Sequence, residues 1–151
     1  MTPLWIIGGG GHARVVIDAA RAAGLDVVGI LDDDEAAWGS RRDDLPVHGP
    51  ISPETIRRLG VTSAIIAIGN NRARQAVAER LAGRVAWRTV VHPRAWVAPG
   101  TALGEGTVVA AGAIVQPGSA IGRHCIINTA ASVDHDCRLG DLVPIAPGAH
   151  L

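Results

Sequence analysis

The chain has 151 residues, and its 14 Lys and Arg are balanced by 14 Asp and Glu, giving a formal net charge of zero. That balance, with no long Lys/Arg run, argues against nucleic-acid binding, and no apolar stretch is long enough to span a membrane. Phe and Tyr are absent and there are only four Trp, so Val, Ile, Leu and Ala must fill the interior, which suits narrow, regular layers.

The N-terminus carries no basic segment followed by an apolar core and a cleavage site, so no signal peptide is expected. Cys125 and Cys137 form no CxxC pair and are expected as reduced thiols in a cytoplasmic protein.

In chain order, residues 4–7 form a short apolar run that stops at Gly8. Residues 13–23 have helical spacing (Val16, Ala19, Ala20, Ala23) with Gly24 as stop. Residues 27–31 make a second β-branched run ending in three aspartates. Arg41 and Arg42 beside Asp43 and Asp44 suggest a solvated loop. Ser52 and Pro53 cap and open a short helix. "SAIIAIG" (63–69) reads as a third buried strand, and "RARQAVAERLAG" as a helix closed by Gly83. Strands alternating with helices imply a parallel sheet.

Such sheets bind ligands at the carboxyl ends of their strands. Three loops qualify: residues 8–12, Asp32 with Asp33, and Gly69 with Asn70 and Asn71. Gly8, Gly10 and Ala13 fit G-x-G-x-x-A, with an acid about 20 residues later as a ribose-binding carboxylate requires. Glycines there let backbone N–H groups approach a phosphate at the helix start. A tight turn without a ligand is the bland reading. Three visible strands favour a mononucleotide over a dinucleotide, which needs two such halves.

From Val97 the pattern changes. Val97, Leu103, Val109, Val115, Ile121, Ile127, Val133, Leu139, Ile145 and Leu151 recur at every sixth position, the signature of a β-helix whose stacked coils bury an aliphatic column. Gly104, Gly122 and Gly140 are 18 apart, so three hexads make one coil of a triangular prism. In that stacking one corner holds Pro99 and Gly100, then Pro117 and Gly118, then His135 and Asp136. Turn chemistry alone favours Pro-Gly there, so the exchange points to a requirement other than folding.

"GGGGH", "LDDD", "AIGNN", "VVHP" and "NTAASVDHDCRLG", in this order, resemble the sialic acid O-acetyltransferase-like family, which includes the N-acetyltransferases of nucleotide-linked 4-amino sugars. The resemblance covers essentially the whole chain. It implies a Rossmann-like nucleotide-sugar-binding domain over residues 1–90 and a left-handed parallel β-helix over 91–151, a handedness that general crossover rules argue against. It also implies a homotrimer in which acetyl-CoA and the nucleotide sugar meet between subunits.

Position by position, His135 resembles the family's catalytic base and Asp136 the acid that raises its basicity. Asp134 flanks the ring equally in sequence, and only the resemblance selects Asp136. Gly10, Gly11 and His12 match the loop that holds the sugar-nucleotide phosphates. Asp32 and Asp33 match the acids that meet base and ribose, and Gly69 lies in the matching third loop with Asn70. The "GNN" form leans toward the N-acetyltransferase branch.

Two departures stand out. Pro144 replaces a histidine that often contacts acetyl-CoA in the family, and it removes a ladder donor. The last residue opens a new coil, so the β-helix is expected to be short at this end, with coenzyme binding weakened. The expected activity is acetyl-CoA-dependent N-acetylation of a nucleotide-linked amino sugar without a metal. The alternatives are sugar O-acetylation and a non-catalytic nucleotide-sugar-binding trimer. A zinc-hydratase reading needs three converging histidines, and His124, His135 and His150, spaced by 11 and 15, do not share one corner column.

Overall fold

A computed structural model describes residues 2–151. The N-terminal part is a mixed sheet flanked by three helices. In order it contains β1 (Leu4–Ile7), α1 (Gly11–Ala22), β2 (Val27–Leu31), a 3-10 turn (Glu35–Ala37), β3 (Arg41–Arg42), β4 (Leu45–His48), α2 (Pro53–Leu59), β5 (Ser63–Ile66), α3 (Asn71–Arg80) and β6 (Ala86–Trp87). The sheet order is β3-β4-β2-β1-β5-β6, and every pairing is parallel except β3 with β4.

Two expectations are corrected here. Six strands form the sheet, not three: β4 (Leu-Pro-Val-His) is masked by its proline, and β3 and β6 have only two residues each. Arg41 and Arg42 form an edge strand, not a loop. Asp43 and Asp44 turn the β3–β4 hairpin with φ of 47° and 62°, the positive values that a two-residue hairpin turn demands and Asp tolerates. The five parallel strands run in the 3-2-1-4-5 order of a Rossmann-like sheet, whose chain reversal lies between β1 and β5.

Helix boundaries follow local chemistry. In α2, the Ser52 hydroxyl accepts from the Thr55 N–H at 3.2 Å and Gly60 closes the helix at φ 66°. Helix α1 buries Ala13, Val16, Ile17, Ala19 and Ala20 on one face.

The C-terminal part is a left-handed parallel β-helix. Its strands are β7 (Val90–Val91), β8 (Trp96–Val97), β9 (Ala102–Leu103), β10 (Val108–Val109), β11 (Ile114–Val115), β12 (Ala120–Ile121), β13 (Ile126–Ile127), β14 (Ser132–Val133), β15 (Arg138–Leu139) and β16 (Pro144–Ile145). They stack into three faces, β7-β10-β13-β16, β8-β11-β14 and β9-β12-β15. Partners lie 18 residues apart, as in Val109↔Ile127 and Val115↔Val133. Val109, Val115, Ile121, Ile127, Val133 and Ile145 fill the prism, whereas Leu151 is 53% exposed.

Strand β7 straddles the expected boundary at residues 90 and 91 and pairs with β10. Val90 and Val108 point outward from the first face into the same apolar cluster as Val16, Ile17 and Ala20 of α1. The N-terminal part therefore sits on this face. Pro144 breaks no ladder bond among the described residues: the bonds here run from Ile126 N to Val143 O and from Asn128 N to Ile145 O, so its nitrogen lies on the outer edge of the last strand.

Candidate functional site

The chain leaves β1 through residues 8–11, and this glycine loop opens a cavity of about 410 Å³ between the carboxyl ends of β1, β2 and β5. Gly10, Gly11, His12, Asp32, Asp33 and Gly69 all line it, so six of the seven predicted substrate-binding residues are brought together at the chain-reversal point. The loop's glycines divide in two. A Cβ on Gly8 would press on Ile68 and the Ala67 carbonyl, and one on Gly9 would lie 2.6 Å from Asp32 Oδ2. Gly10 and Gly11 would meet nothing within 4 Å. The fold requires the first pair, while the second pair keeps open space.

His12 sits in the first turn of α1 with its Nε2 buried and unpartnered. Burial, and next the positive charge of Arg74, push its pKa below the usual imidazole value.

Both aspartates are already engaged. Asp32 Oδ2 accepts the Gly9 N–H at 3.0 Å and pairs with Arg42 Nη1 at 3.4 Å, while Oδ1 accepts the Asp34 N–H at 2.9 Å. Arg42 also donates to the Gly9 carbonyl. Asp32 thus shapes the glycine loop from behind. Asp33 Oδ1 accepts the Ile51 N–H at 2.8 Å, and its Oδ2 pairs with Arg80 at 3.0 Å on the cavity rim. Asn70 is outside the lining: its carboxamide oxygen accepts the Ala73 N–H at 2.9 Å and caps α3.

Arg42, Arg80 and Arg74 escaped sequence reasoning. Arg74 alone left a trace, because it stands at the inward positions of α3 in register with buried Val77 and Leu81.

At the prism corner the predicted column is intact. Gly100, Gly118 and Asp136 have φ of 81°, 80° and 59°, so the Asp takes the left-handed turn position that glycine fills in the other coils. His135 Nδ1 lies 2.8 Å from Asp136 Oδ2, while Asp134 Oδ1 accepts the backbone N–H of His135 at 2.8 Å. Asp136 is therefore the ring's partner. A carboxylate only accepts, so the neutral ring carries its proton on Nδ1 and presents a bare Nε2. The hydrogen bond to Asp136, then the charges of Asp134 and Asp136, raise the pKa of this exposed imidazole.

The glycine cavity and His135 do not meet within one chain. The corner that holds His135 joins the second and third faces of the prism, and the N-terminal part covers the first. The other histidines diverge as well. His124 packs edge-on against Trp87 at 5.0 Å, and His150 Nδ1 lies 2.6 Å from the Ser132 hydroxyl.

The geometry has close counterparts. The PglD N-terminal domain profile matches residues 3–81. The UDP-N-acetylbacillosamine N-acetyltransferase of Bacillus subtilis (strain 168) is 36% identical over 69% of this chain and 49% of its own length. The GDP-perosamine N-acetyltransferase of Escherichia coli O157:H7 is 36% identical over 56% and 38%. The chain thus spans about half or less of the curated relatives it matches. Among solved structures, a histidine-to-asparagine mutant of perosamine N-acetyltransferase from Caulobacter crescentus, in complex with CoA and GDP-perosamine, superposes with a TM-score of 0.89. It is 39% identical, over 98% of this chain and 70% of that one. The acetyltransferase domain of PglB from Neisseria gonorrhoeae FA1090, in complex with acetyl coenzyme A, gives 0.86 at 39% identity over 99% and 72%. The resemblance drawn from the motifs is matched by these proteins. Because the matched segment exceeds half of the sequence and holds the glycine loop, both aspartates and the third loop, the chain belongs to the PglD N-terminal domain family.

Proposed function

We propose that the protein is an acetyl-CoA-dependent N-acetyltransferase that acts on the amino group of a nucleotide-linked amino sugar. The observation that carries this reading is the His135–Asp136 pair, a base with raised affinity for protons where the neighbouring coils have Pro-Gly. An amine must lose a proton as it attacks a thioester carbonyl, and Nε2 of His135 is free to take it. Asp136 holds the ring and stabilises its charged form. The new N–C bond forms as the C–S bond breaks, and the coenzyme leaves as its thiol. Relatives solved with a single histidine replaced still hold both CoA and GDP-perosamine, which fits a histidine whose loss spares binding.

The nucleotide occupies the glycine cavity, with its phosphates at Gly10, Gly11 and His12. Asp33 and Gly69 border it, and Asp32 and Asn70 hold its walls through the bonds described above. Because His135 stands on the opposite edge of the prism, each site is completed by a neighbouring subunit in a homotrimer. The second face supports this: Trp96 and Ile114 stand there 57% and 37% exposed, an apolar strip fit for a second copy. Two unpaired thiols, Cys125 and Cys137, and a coenzyme A thioester as donor suit the cytoplasm.

The test is His135→Ala assayed with UDP- and GDP-linked amino sugars. A loss of about 10²–10⁴-fold in kcat with nucleotide-sugar binding unchanged is expected for a general base. Retained turnover would remove His135 from the mechanism, and a wild-type protein that binds nucleotide sugar but no coenzyme would make it a binding trimer instead.

A further inference from the structure

Arg74 is only 1% exposed, yet no carboxylate pairs with it among the described residues. Its guanidinium satisfies all five of its N–H donors on neutral oxygens. Nε donates to His124 O at 2.9 Å, Nη1 to Ile68 O and Gly69 O at 3.1 Å each, and Nη2 to Asn71 Oδ1 at 2.5 Å and Leu142 O at 2.7 Å. His124 and Leu142 are the same corner position of successive coils, 18 residues apart. One side chain thus ties the third loop of the nucleotide cavity to two coils of the prism.

The bonds to Ile68 and Gly69 also fix two peptide planes. A trans peptide points its C=O and N–H in opposite directions. Holding these carbonyls toward Arg74 therefore turns the N–H groups of Gly69 and Asn70 to the other side, where Gly69 borders the cavity. Neither N–H has a backbone acceptor among the described residues. The charge of Arg74 stands behind this wall, close enough to act on His12 in the first turn of α1.

We propose that Arg74 is a positioning residue for the transfer reaction: it aims the Gly69 N–H of the third loop at the diphosphate of the bound nucleotide and fastens that loop to the β-helix. The proposal rests on the nucleotide reading of the glycine cavity. A lysine offers three donors from one point and cannot span five separated acceptors, and a methionine offers none.

Wild type, Arg74→Lys and Arg74→Met are titrated with uridine diphosphate and guanosine diphosphate, and KM and kcat are measured for the nucleotide sugar. In folded variants the diphosphate Kd and the sugar-nucleotide KM should rise together by about tenfold or more, the scale of lost hydrogen bonds to a charged group. A purely structural role would lower the active fraction, and hence kcat, with Kd and KM unchanged, and that result overturns the proposal. If neither variant folds, hydrogen exchange on wild type decides. Saturating diphosphate should slow exchange at residues 69–71 and also at 123–125 and 142–143, whereas protection confined to the loop overturns the coupling. A wild-type protein that binds neither diphosphate sinks the cavity reading first, and this proposal with it.

Discussion

The carboxylate of Asp136 lies against the backbone of Gly118, one coil earlier in the same corner, and leaves no room there for a Cβ. The partner of His135 is therefore seated by a glycine 17 residues away in sequence from that histidine. Both Gly118 and Asp136 adopt positive φ, so the seat is a stack of two left-handed turns.

Replacing that glycine should separate basicity from binding. Gly118→Ala costs roughly 1–2 kcal/mol for a left-handed non-glycine residue and pushes the Asp136 carboxylate aside. Because Asp136 raises the His135 pKa, wild-type activity should climb with pH through a value above that of a free imidazole, as the base form appears. In both Gly118→Ala and Asp136→Asn this limb should move to lower pH, while the plateau kcat falls because the base is weaker. A kcat/KM profile that stays in place would show that the carboxylate does not tune the ring.

The two halves of the glycine loop should respond in opposite ways. Gly11→Ala has open space around its new methyl and replaces a helical glycine, so stability should hold or rise by about 0.5–1 kcal/mol. Gly11→Val should abolish nucleotide binding in a protein that still folds. Gly9→Ala drives its methyl into the Asp32–Arg42 pair and should lower the melting temperature directly. Calorimetry of both kinds, thermal and titration, distinguishes the patterns.

Acid should loosen the protein through the buried His124 and the half-buried His12. Burial is the largest cause of the lowered pKa of both His12 and His124. A group whose folded pKa is depressed binds more protons when unfolded. Stability should be undiminished above the ordinary imidazole value and should fall as pH drops below it toward the folded values. His12→Gln should flatten this slope in urea titrations across that window, and an unchanged slope would count against His12 as a contributor.

The exposed strip on the second face should control assembly. Trp96→Glu puts a charge where Trp96 and Ile114 face outward and should yield monomers by light scattering at micromolar concentration. Nucleotide affinity should survive in those monomers, because the glycine cavity is built within one chain, but acetyl transfer should vanish. Active monomers would contradict sites shared between subunits.

Repetition made the β-helix legible. Every inward position carries the same aliphatic chemistry at a fixed period, so His135 and Asp136 stood out as an exception to a column. The glycine loop was legible for a related reason, since glycines before a helix follow a known phosphate-binding logic. Asp32 and Asp33 were assigned outward to a ligand, but their oxygens also bind Gly9, Asp34, Ile51, Arg42 and Arg80. Those partners are scattered along the chain and leave no spacing to read. Arg74 was hidden in an arginine-rich helix because four of its five acceptors are backbone carbonyls, up to 68 residues away, and a carbonyl has no sequence signature. β3 and β6 are also two residues long but, unlike the prism strands, belong to no repeat, so nothing in the sequence marks them.

Val90 and Val108 belong to the β-helix by pairing and to the α1 cluster by packing. The cluster between the halves is common to both, so they cannot melt one after the other without tearing it. Heating should produce a single cooperative transition, not two separate ones. An excised N-terminal half would carry the bared stripe of Val16, Ile17 and Ala20 into water, and its fate would be self-association. In this chain the N-terminal layer is not a detachable module, because the outer face of the prism is part of its core.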